Sequence, residues 1–562
     1  MTDVPSKQLE ASGERKATMK KTDGHMLVAQ SLKSLGVTHV YNIAGTPTKE
    51  TFSKCAQLGI RPIGVRHQNA GVLMATAQNY VSGRIAAVAL FSAGPAVTNT
   101  VTSVLVAKDN CWPIVVLGGR RPLNMRGMGS FQELDAIPIF QSITKWSAVV
   151  ETTSEIPHYL NQAFQIAIGG RPGPVYLELP EDVLTTTVQA TEMPSFVPVE
   201  VPRVDDEAIR CAADLLLEAK RPAIIVGKGV RWSEPYAELR RLVNDFGIPF
   251  ITSPMGRGYL PDDHVLCANP VSGAVQRAAD VVLLVGARLD WTFRFGTQLA
   301  RDAKLIQIDI HKPEIGINRT PTVGILGDAK LVLQGLLSQM TRKRSRAPKS
   351  TSAPWHAALV AKRESQSVSL ENQMGSAALP MSPNRMYNEI KEFLPRDAIC
   401  ILDGNVSMAV GQRILPSYTP VTRFTAGTNG CMGVGVPYAI GAKIAKPDRL
   451  VMAVCGDMGF ALTAMDMETA VRHNIPIVVI VANNDGNMGG INQKTFFPNY
   501  EERVTMYQPD IHYEHIMQCF GGHGEYVDRP EDLRPALERT VASGKAACIN
   551  VKVDPFAPYP QD

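Results

Sequence analysis

Leu450-Val451-Met452-Ala453-Val454-Cys455 runs directly into Gly456-Asp457-Met458-Gly459, and Ile475–Val481 ends at Asn483-Asn484-Asp485-Gly486. Both apolar runs, bounded by Gly and Asn, read as buried strands. The intervening Ala461–Arg472 reads as a helix, so the stretch is a strand–helix–strand unit with two parallel strands. Asp457 and Asn484 then stand at the C-terminal ends of those strands, the edge of an open α/β sheet where ligands bind. A carboxylate, an amide oxygen and a backbone carbonyl near Gly486 are hard oxygen donors. They suit Mg²⁺, which keeps phosphate oxygens in its shell. Gly456, Gly459 and Gly486 let backbone N–H groups come close to a diphosphate. A lone Gly-Asp is ordinarily a tight turn and a helix cap. Here the Asp and the Asn pair both follow strands, 27 positions apart (484 − 457).

The same alternation extends outward. Ile85–Phe91, Pro113–Leu117, Ile224–Val226, Val281–Val285, Leu305–Ile310 and Ile399–Leu402 are continuous apolar runs, as expected of parallel strands covered on both faces. Helical patterns such as Met26–Leu35 and Asp206–Ala219 lie between them, which predicts α/β layers. Pro194–Pro202 reads as an extended linker. Thr341 to about Pro383 reads as a long surface connection with a helix around Trp355–Arg363. These breaks give three α/β domains, 22–192, 203–340 and 380–556; the first and third are of similar size, as two halves of one cofactor site could be.

Composition excludes several classes. Hydrophobic residues make up 45% and charged residues 20%, enough to bury real cores. A net charge of +4, with no basic stripe interleaved with aromatics, argues against nucleic acid. No apolar run reaches the roughly 20 residues that span a bilayer. The polar start through about Lys21 has no secretory h-region, and Pro-Gln-Asp at the end is not a peroxisomal tripeptide. Nine scattered cysteines without a Cys-x-x-Cys pair read as buried residues of a reducing compartment. The expectation is a cytoplasmic protein acting on a small molecule.

The Gly-Asp and Asn-Asn pair resembles the signature of thiamine-diphosphate enzymes, and the resemblance to their decarboxylase and acetolactate-synthase superfamily covers about 22–556. Val65-Arg66-His67-Gln68-Asn69-Ala70 stands at the cofactor-activating segment. Ser92-Ala93-Gly94-Pro95, with Thr98-Asn99, resembles the Ser-Gly-Pro-Gly loop, and Phe131-Gln132-Glu133 the active-site Phe-Gln-Glu. Gly427–Gly433 resembles the loop whose Met, here Met432, wedges under the thiazolium. The resemblance implies cofactor contacts from Ser407, Met408, Gly430, Met432, Gly456, Met458, Gly459, Asn487 and Met488, with Mg²⁺ at Asp457, Asn484 and Gly486. It implies a substrate pocket of Ala44, Gly45, Phe131, Ile491 and Gln493, with Gln132 orienting the substrate. Asn110-Cys111-Trp112-Pro113, Met128–Glu133, Pro254–Gly258, Gly286–Trp291 and His512-Tyr513-Glu514 are closest to 2-hydroxyacyl-CoA lyases and oxalyl-CoA decarboxylases. That implies an acyl-CoA, with Arg257 and Arg288 as candidates for contact with a nucleotide or CoA; Asp309, after the strand Leu305–Ile308, is placed to hold a ribose hydroxyl as in a Rossmann unit. It also implies a homodimer or homotetramer with active sites between subunits.

Three features depart from the pattern. Gln68 stands where the family has the glutamate that shares a proton with N1′ of the aminopyrimidine; an amide hydrogen-bonds there but exchanges no proton. His67 beside it is a candidate relay. Asp403-Gly404-Asn405-Val406-Ser407-Met408 reorders the usual Gly-Ala-Asn-Thr-Met, and the stretch after Phe556 lacks the basic tail that closes over CoA. The expected activity is a carbon–carbon lyase or carboligase of 2-hydroxyacyl-CoA type. The alternatives are an acetolactate-synthase-like carboligase on free 2-oxoacids and a catalytically weakened binding protein.

Overall fold

The computed structural model describes residues 21–190, 192–195, 197, 201–344, 353–499 and 501–557. Outside them lie the polar start, Thr191, four residues of the Pro194–Pro202 linker (196 and 198–200), the basic stretch 345–352, Tyr500 and the last five residues; the described linker residues have no regular structure. Three parallel sheets carry the chain. The first orders its strands Arg61–Gly64, His39–Asn42, Ala87–Phe91, Ile114–Arg120, Pro174–Pro180, Trp146–Val149. The third orders Arg423–Thr425, Ile399–Asp403, Val451–Gly456, Val478–Asn483, Ala547–Lys552, His523–Val527. Numbered within each domain, both orders are 2-1-3-4-6-5, so the two halves share one topology. A short antiparallel pair, Lys21–Asp23 with Thr187–Gln189, ties the beginning of the first domain to its end.

The central sheet runs Phe250–Thr252, Pro222–Val226, Val281–Val285, Lys304–Asp309, Val323–Leu326, all parallel. This 2-1-3-4-5 order has its switch point between Pro222–Val226 and Val281–Val285, where a crevice opens beyond the strand ends.

The first and third domains share one core. Helix Gln68–Ser82 is buried over most of its length and packs on helix Gly435–Ala445. Their approach is close: a Cβ on Gly441 would stand 2.1 Å from the Met74 carbonyl oxygen. Trp112 stacks on Tyr80 at 4.5 Å and meets Phe424 and Tyr438 of the third domain edge-on or tilted.

Two sequence expectations need correcting. Ala461–Arg472 is not one helix but the end of Asp457–Ala461, a turn at Ala464–Asp466, and Met467–Arg472. The helix expected at Trp355–Arg363 runs Ala353–Met374, with Trp355 and Leu359 sealing a central-domain cluster.

Candidate active site

At the C-terminal end of the first sheet, separate motifs come together. A Cβ on Gly45 would fall 2.8 Å from the Ser92 Cβ, and one on Gly94 would fall 2.9 Å from the Gln132 Cβ. Ala44-Gly45, Ser92–Asn99 and Gln132 thus touch through glycines. Gly94 (φ 58°) and Gln132 (φ 59°) both adopt the left-handed region, unusual for a glutamine. Gln68 opens helix Gln68–Ser82, and its Oε1 accepts from Asn99 Nδ2 at 3.0 Å. His67 caps that helix, Nδ1 accepting from the Asn69 N–H at 3.2 Å, so this nitrogen is a cap acceptor rather than a relay. The segment before it is fixed from the third domain. Asp466, 1% exposed, accepts from the Arg66 N–H at 2.9 Å, and burial pushes its carboxyl up to about 6. Phe131 is 76% exposed on a loop whose Gly129 and Ser130 N–H groups donate to Glu133. Sequence reasoning gave neither Asp466 nor Glu133 a role.

At the corresponding end of the third sheet, Asp457 is 1% exposed. Its Oδ1 accepts from the Met458 N–H at 2.8 Å and its Oδ2 from the Gly486 N–H at 2.6 Å, which brings the two strand ends together. Burial pushes the Asp457 carboxyl up to about 7, and nearby Asp485 adds to the rise. Among the described residues no cationic side chain pairs with it. A buried carboxylate without a counter-charge is costly, and a dication beside it, with the half-buried Asn484 amide, removes the cost. The residues therefore fit a Mg²⁺ held between carboxylate, amide and phosphate oxygens. A Cβ on Gly456 or on Gly430 would meet nothing within 4 Å, so the backbone there is open to an approaching group. Tyr507 donates to the Met458 sulfur at 2.8 Å. Asn487 N–H donates to the Thr505 carbonyl at 3.0 Å, and Met488 (φ 56°) receives Asn405 Nδ2 at 3.9 Å.

A residue that sequence reasoning passed over organises this half. Asp403, fully buried, accepts from the Gly433 N–H (3.1 Å) and the Gly435 N–H (2.8 Å), and its carboxyl would lie 3.0 Å from a Cβ on Gly459. It anchors the Gly430–Gly433 loop against the Gly456–Gly459 turn. Its signal was a carboxylate ending the apolar strand Ile399–Asp403, a place where an ionisable group is rarely left unused. Ser407 is 2% exposed, while Met408 faces a cleft.

That cleft, about 1270 Å³, follows the switch point of the central sheet. Asp309, Lys228, Arg257 and Arg288 line it at the central domain, and Asn405, Met408 and Thr428 carry it to the third. Asp457 and Asn484 are not on its wall; Asn405 links it to Met488 beside them. Burial raises the Asp309 carboxyl to about 6, against a hydrogen bond from the His311 N–H. Two expected substrate contacts have their polar groups engaged within the chain. Arg257 pairs with Asp262 at 2.8 Å and also donates to the Gln412 carbonyl, so little of its guanidinium is left for a phosphate. Gln493 spends its amide on the chain: Oε1 accepts from Val504 and Thr505, and Nε2 donates to Glu502. Arg288 donates to the Asp109 carbonyl, and Ile491 is half-buried.

Three sequence families match the chain in order: thiamine pyrophosphate enzyme, N-terminal TPP binding domain, over 22–139; the central domain, over 209–336; and the C-terminal TPP binding domain, over 404–551. The chain is 36% identical to 2-hydroxyacyl-CoA lyase of Arabidopsis thaliana, with 95% of this chain and 96% of that protein covered. It is 32% identical to acetolactate synthase large subunit IlvG of Mycobacterium tuberculosis (95% and 96% covered) and 29% identical to oxalyl-CoA decarboxylase of Escherichia coli (96% of each). The chain belongs to the thiamine pyrophosphate (thiamine diphosphate) enzymes, on the branch that makes or breaks carbon–carbon bonds.

Proposed function

We propose that the chain is a thiamine-diphosphate- and Mg²⁺-dependent lyase of the 2-hydroxyacyl-CoA type. It would cleave R–CH(OH)–CO–S–CoA to the aldehyde R–CHO and formyl-CoA, or join the two in reverse. The cleft is the observation that carries this reading. It runs unbroken from Asp309, at the nucleotide-binding edge of the central sheet, to Asn405 and Met408 in the third domain. A free 2-oxoacid needs only a fraction of that length, and drug-sized ligands fill about 300–1,000 Å³.

When bound, thiamine diphosphate would supply the carbanion equivalent that breaking the bond between the thioester carbonyl and the α-carbon requires. The chain's residues do the rest. Asp457 and Asn484 would hold Mg²⁺, and the open backbone at Gly456 would admit the diphosphate, while Gly459 and Gly486 let Asp403 and the Thr505 carbonyl pack close behind it. Met432 would support the thiazolium, with Asn487 and Met488 alongside. Gln68 presents its Nε2 to the aminopyrimidine because Asn99 occupies its Oε1; the side chain orients the ring without exchanging a proton. Gln132 and Phe131 face the reacting carbon, and Lys228 with Arg288 meets the phosphates of CoA. Each site is completed by a second subunit in a homodimer or homotetramer.

The test is to incubate the chain with thiamine diphosphate, Mg²⁺ and a short 2-hydroxyacyl-CoA and to look for formyl-CoA by mass spectrometry. Cleavage establishes the lyase. Silence from both the chain and its Gln68→Glu variant, with cofactor bound, removes the acyl-CoA reading and leaves carboligation of free 2-oxoacids.

A further inference from the structure

The turn Gly427–Asn429 leads straight into Gly430 and Met432, and the walls of the cleft grip it. Thr428 Oγ1 donates to Asp290 Oδ2 at 3.1 Å and accepts from Lys228 Nζ at 3.3 Å. Trp291 Nε1 donates to the Thr428 carbonyl at 2.8 Å. From the first domain, Asp109 Oδ2 accepts from Asn429 Nδ2 at 2.8 Å, and Asn110 Oδ1 accepts from the same Lys228 at 2.6 Å. Gly427 (φ 66°) admits no side chain, because a Cβ would stand 1.8 Å from Asn110 Oδ1. The far side of the loop is anchored on Asp403.

The loop proposed to support the thiazolium is therefore held upstream by groups that also face the cleft. Lys228, Arg288, Asp290, Trp291 and Thr428 all line it. Trp291 is 49% exposed, its ring open to stacking while its N–H holds the loop. Lys228 is half-buried in the cleft wall. Desolvation and the neighbouring Arg288 pull its ammonium down to about 8, against Asp290 and Asp109, so an anion in the cleft would find an undercompensated cation.

We propose that this clasp makes occupancy of the cleft and binding of the cofactor mutually dependent, with Asp290 and Trp291 as the positioning residues that link them. The inference rests on the acyl-CoA reading above. A nucleotide thioester that packs on Trp291 and neutralises Lys228 orders two of the three partners of Thr428. The Gly430–Met432 loop is then already in place when the cofactor arrives, and the ordering cost is met once for two ligands. The coupling is reciprocal by thermodynamic necessity.

Titration calorimetry on the cofactor-stripped full chain tests this in Mg²⁺ buffer. Thiamine diphosphate is titrated with and without saturating coenzyme A, and coenzyme A with and without the cofactor. The wild type is expected to show the same factor both ways, within the about 5- to 150-fold typical of coupled sites. Thr428→Val, which removes the bonds to Asp290 and Lys228, and Trp291→Phe, which removes the bond to the carbonyl, should bring the factor toward one. Thr428→Ser should restore it. Trp291→Phe, at a half-exposed position, carries the test if Thr428→Val does not fold. An unchanged factor in the folded variants, or coenzyme A binding that leaves cofactor affinity untouched in the wild type, overturns the coupling alone. Failure of coenzyme A to bind the wild type overturns both the coupling and the acyl-CoA reading.

Discussion

At position 68 an amide takes the place of an acid, and its neighbour fixes what it does. Asn99 Nδ2 occupies Oε1, so Nε2 is the end left to meet a pyrimidine nitrogen. A glutamate here keeps the Asn99 bond through one oxygen and offers a proton through the other. Gln68→Glu is therefore expected to fold normally and to speed C2-proton exchange of the bound cofactor, followed by NMR, by about 10²–10⁴. An unchanged exchange rate would mean that activation here does not depend on this position. Asp466 gives a second prediction. Burial holds its carboxyl near 6, opposed by the Arg66 and Thr469 hydrogen bonds and the Arg66 charge, and reinforced by Glu468. The folded pKa lies above the unfolded value of about 4. The protonated form therefore contributes stability that is complete below pH 4 and is lost as pH rises through 6. Asp466→Asn keeps an acceptor for the Arg66 N–H and cannot ionise. Its melting temperature should fall less between pH 4 and 6.5 than the wild type's, and parallel profiles would rule the assignment out.

At the scale of elements, the sequence was most legible where structure is local. Val281–Val285 and Val451–Gly456 read as strands because parallel strands buried on both faces are continuous apolar runs. Asp457 and Asn484 each directly follow a strand, which is the placement the sequence reading gave them. The illegible parts are contacts between distant positions: Asp466 with the Arg66 N–H, Thr428 with Asp290, and the commitment of Gln493 to residues 502–505. Ala461–Arg472 read as one helix because periodicity does not reveal that Asp466 turns to serve another domain. The helix pair Gln68–Ser82 and Gly435–Ala445 yields a prediction whose sign opposes propensity. Gly→Ala within a helix ordinarily stabilises by about 1 kcal/mol. At Gly441 the new methyl would meet the Met74 carbonyl at 2.1 Å, so Gly441→Ala must part the helices. It should lower stability by about 1–3 kcal/mol in denaturant titration. A more stable variant would show that this contact is not tight.

At the scale of the whole molecule, two sheets of the same strand order meet through one core, a symmetry the sequence suggested only as two halves of similar size. The proposed site residues fall in two sets: Gln68 and Gln132 at the C-terminal end of the first sheet, and Asp457, Asn484 and Met432 at that of the third. The first set stands beside a protruding loop with Met125, Met128 and Phe131 at 43%, 74% and 76% exposure. Three large apolar side chains in seven residues are an interaction surface rather than scattered exposure. Glu133 shapes that loop through backbone N–H groups, so it is presented in one conformation. A second copy whose third domain receives this loop would cover the apolar side chains and bring the two sets to one site. Light scattering should then give a dimer or tetramer. Met125→Glu with Met128→Glu, both at exposed positions where the isolated fold loses little, should shift the mass toward the monomer and abolish turnover together. A monomeric wild type that turns over, or a charged variant that keeps both mass and rate, would place the complete site within one chain.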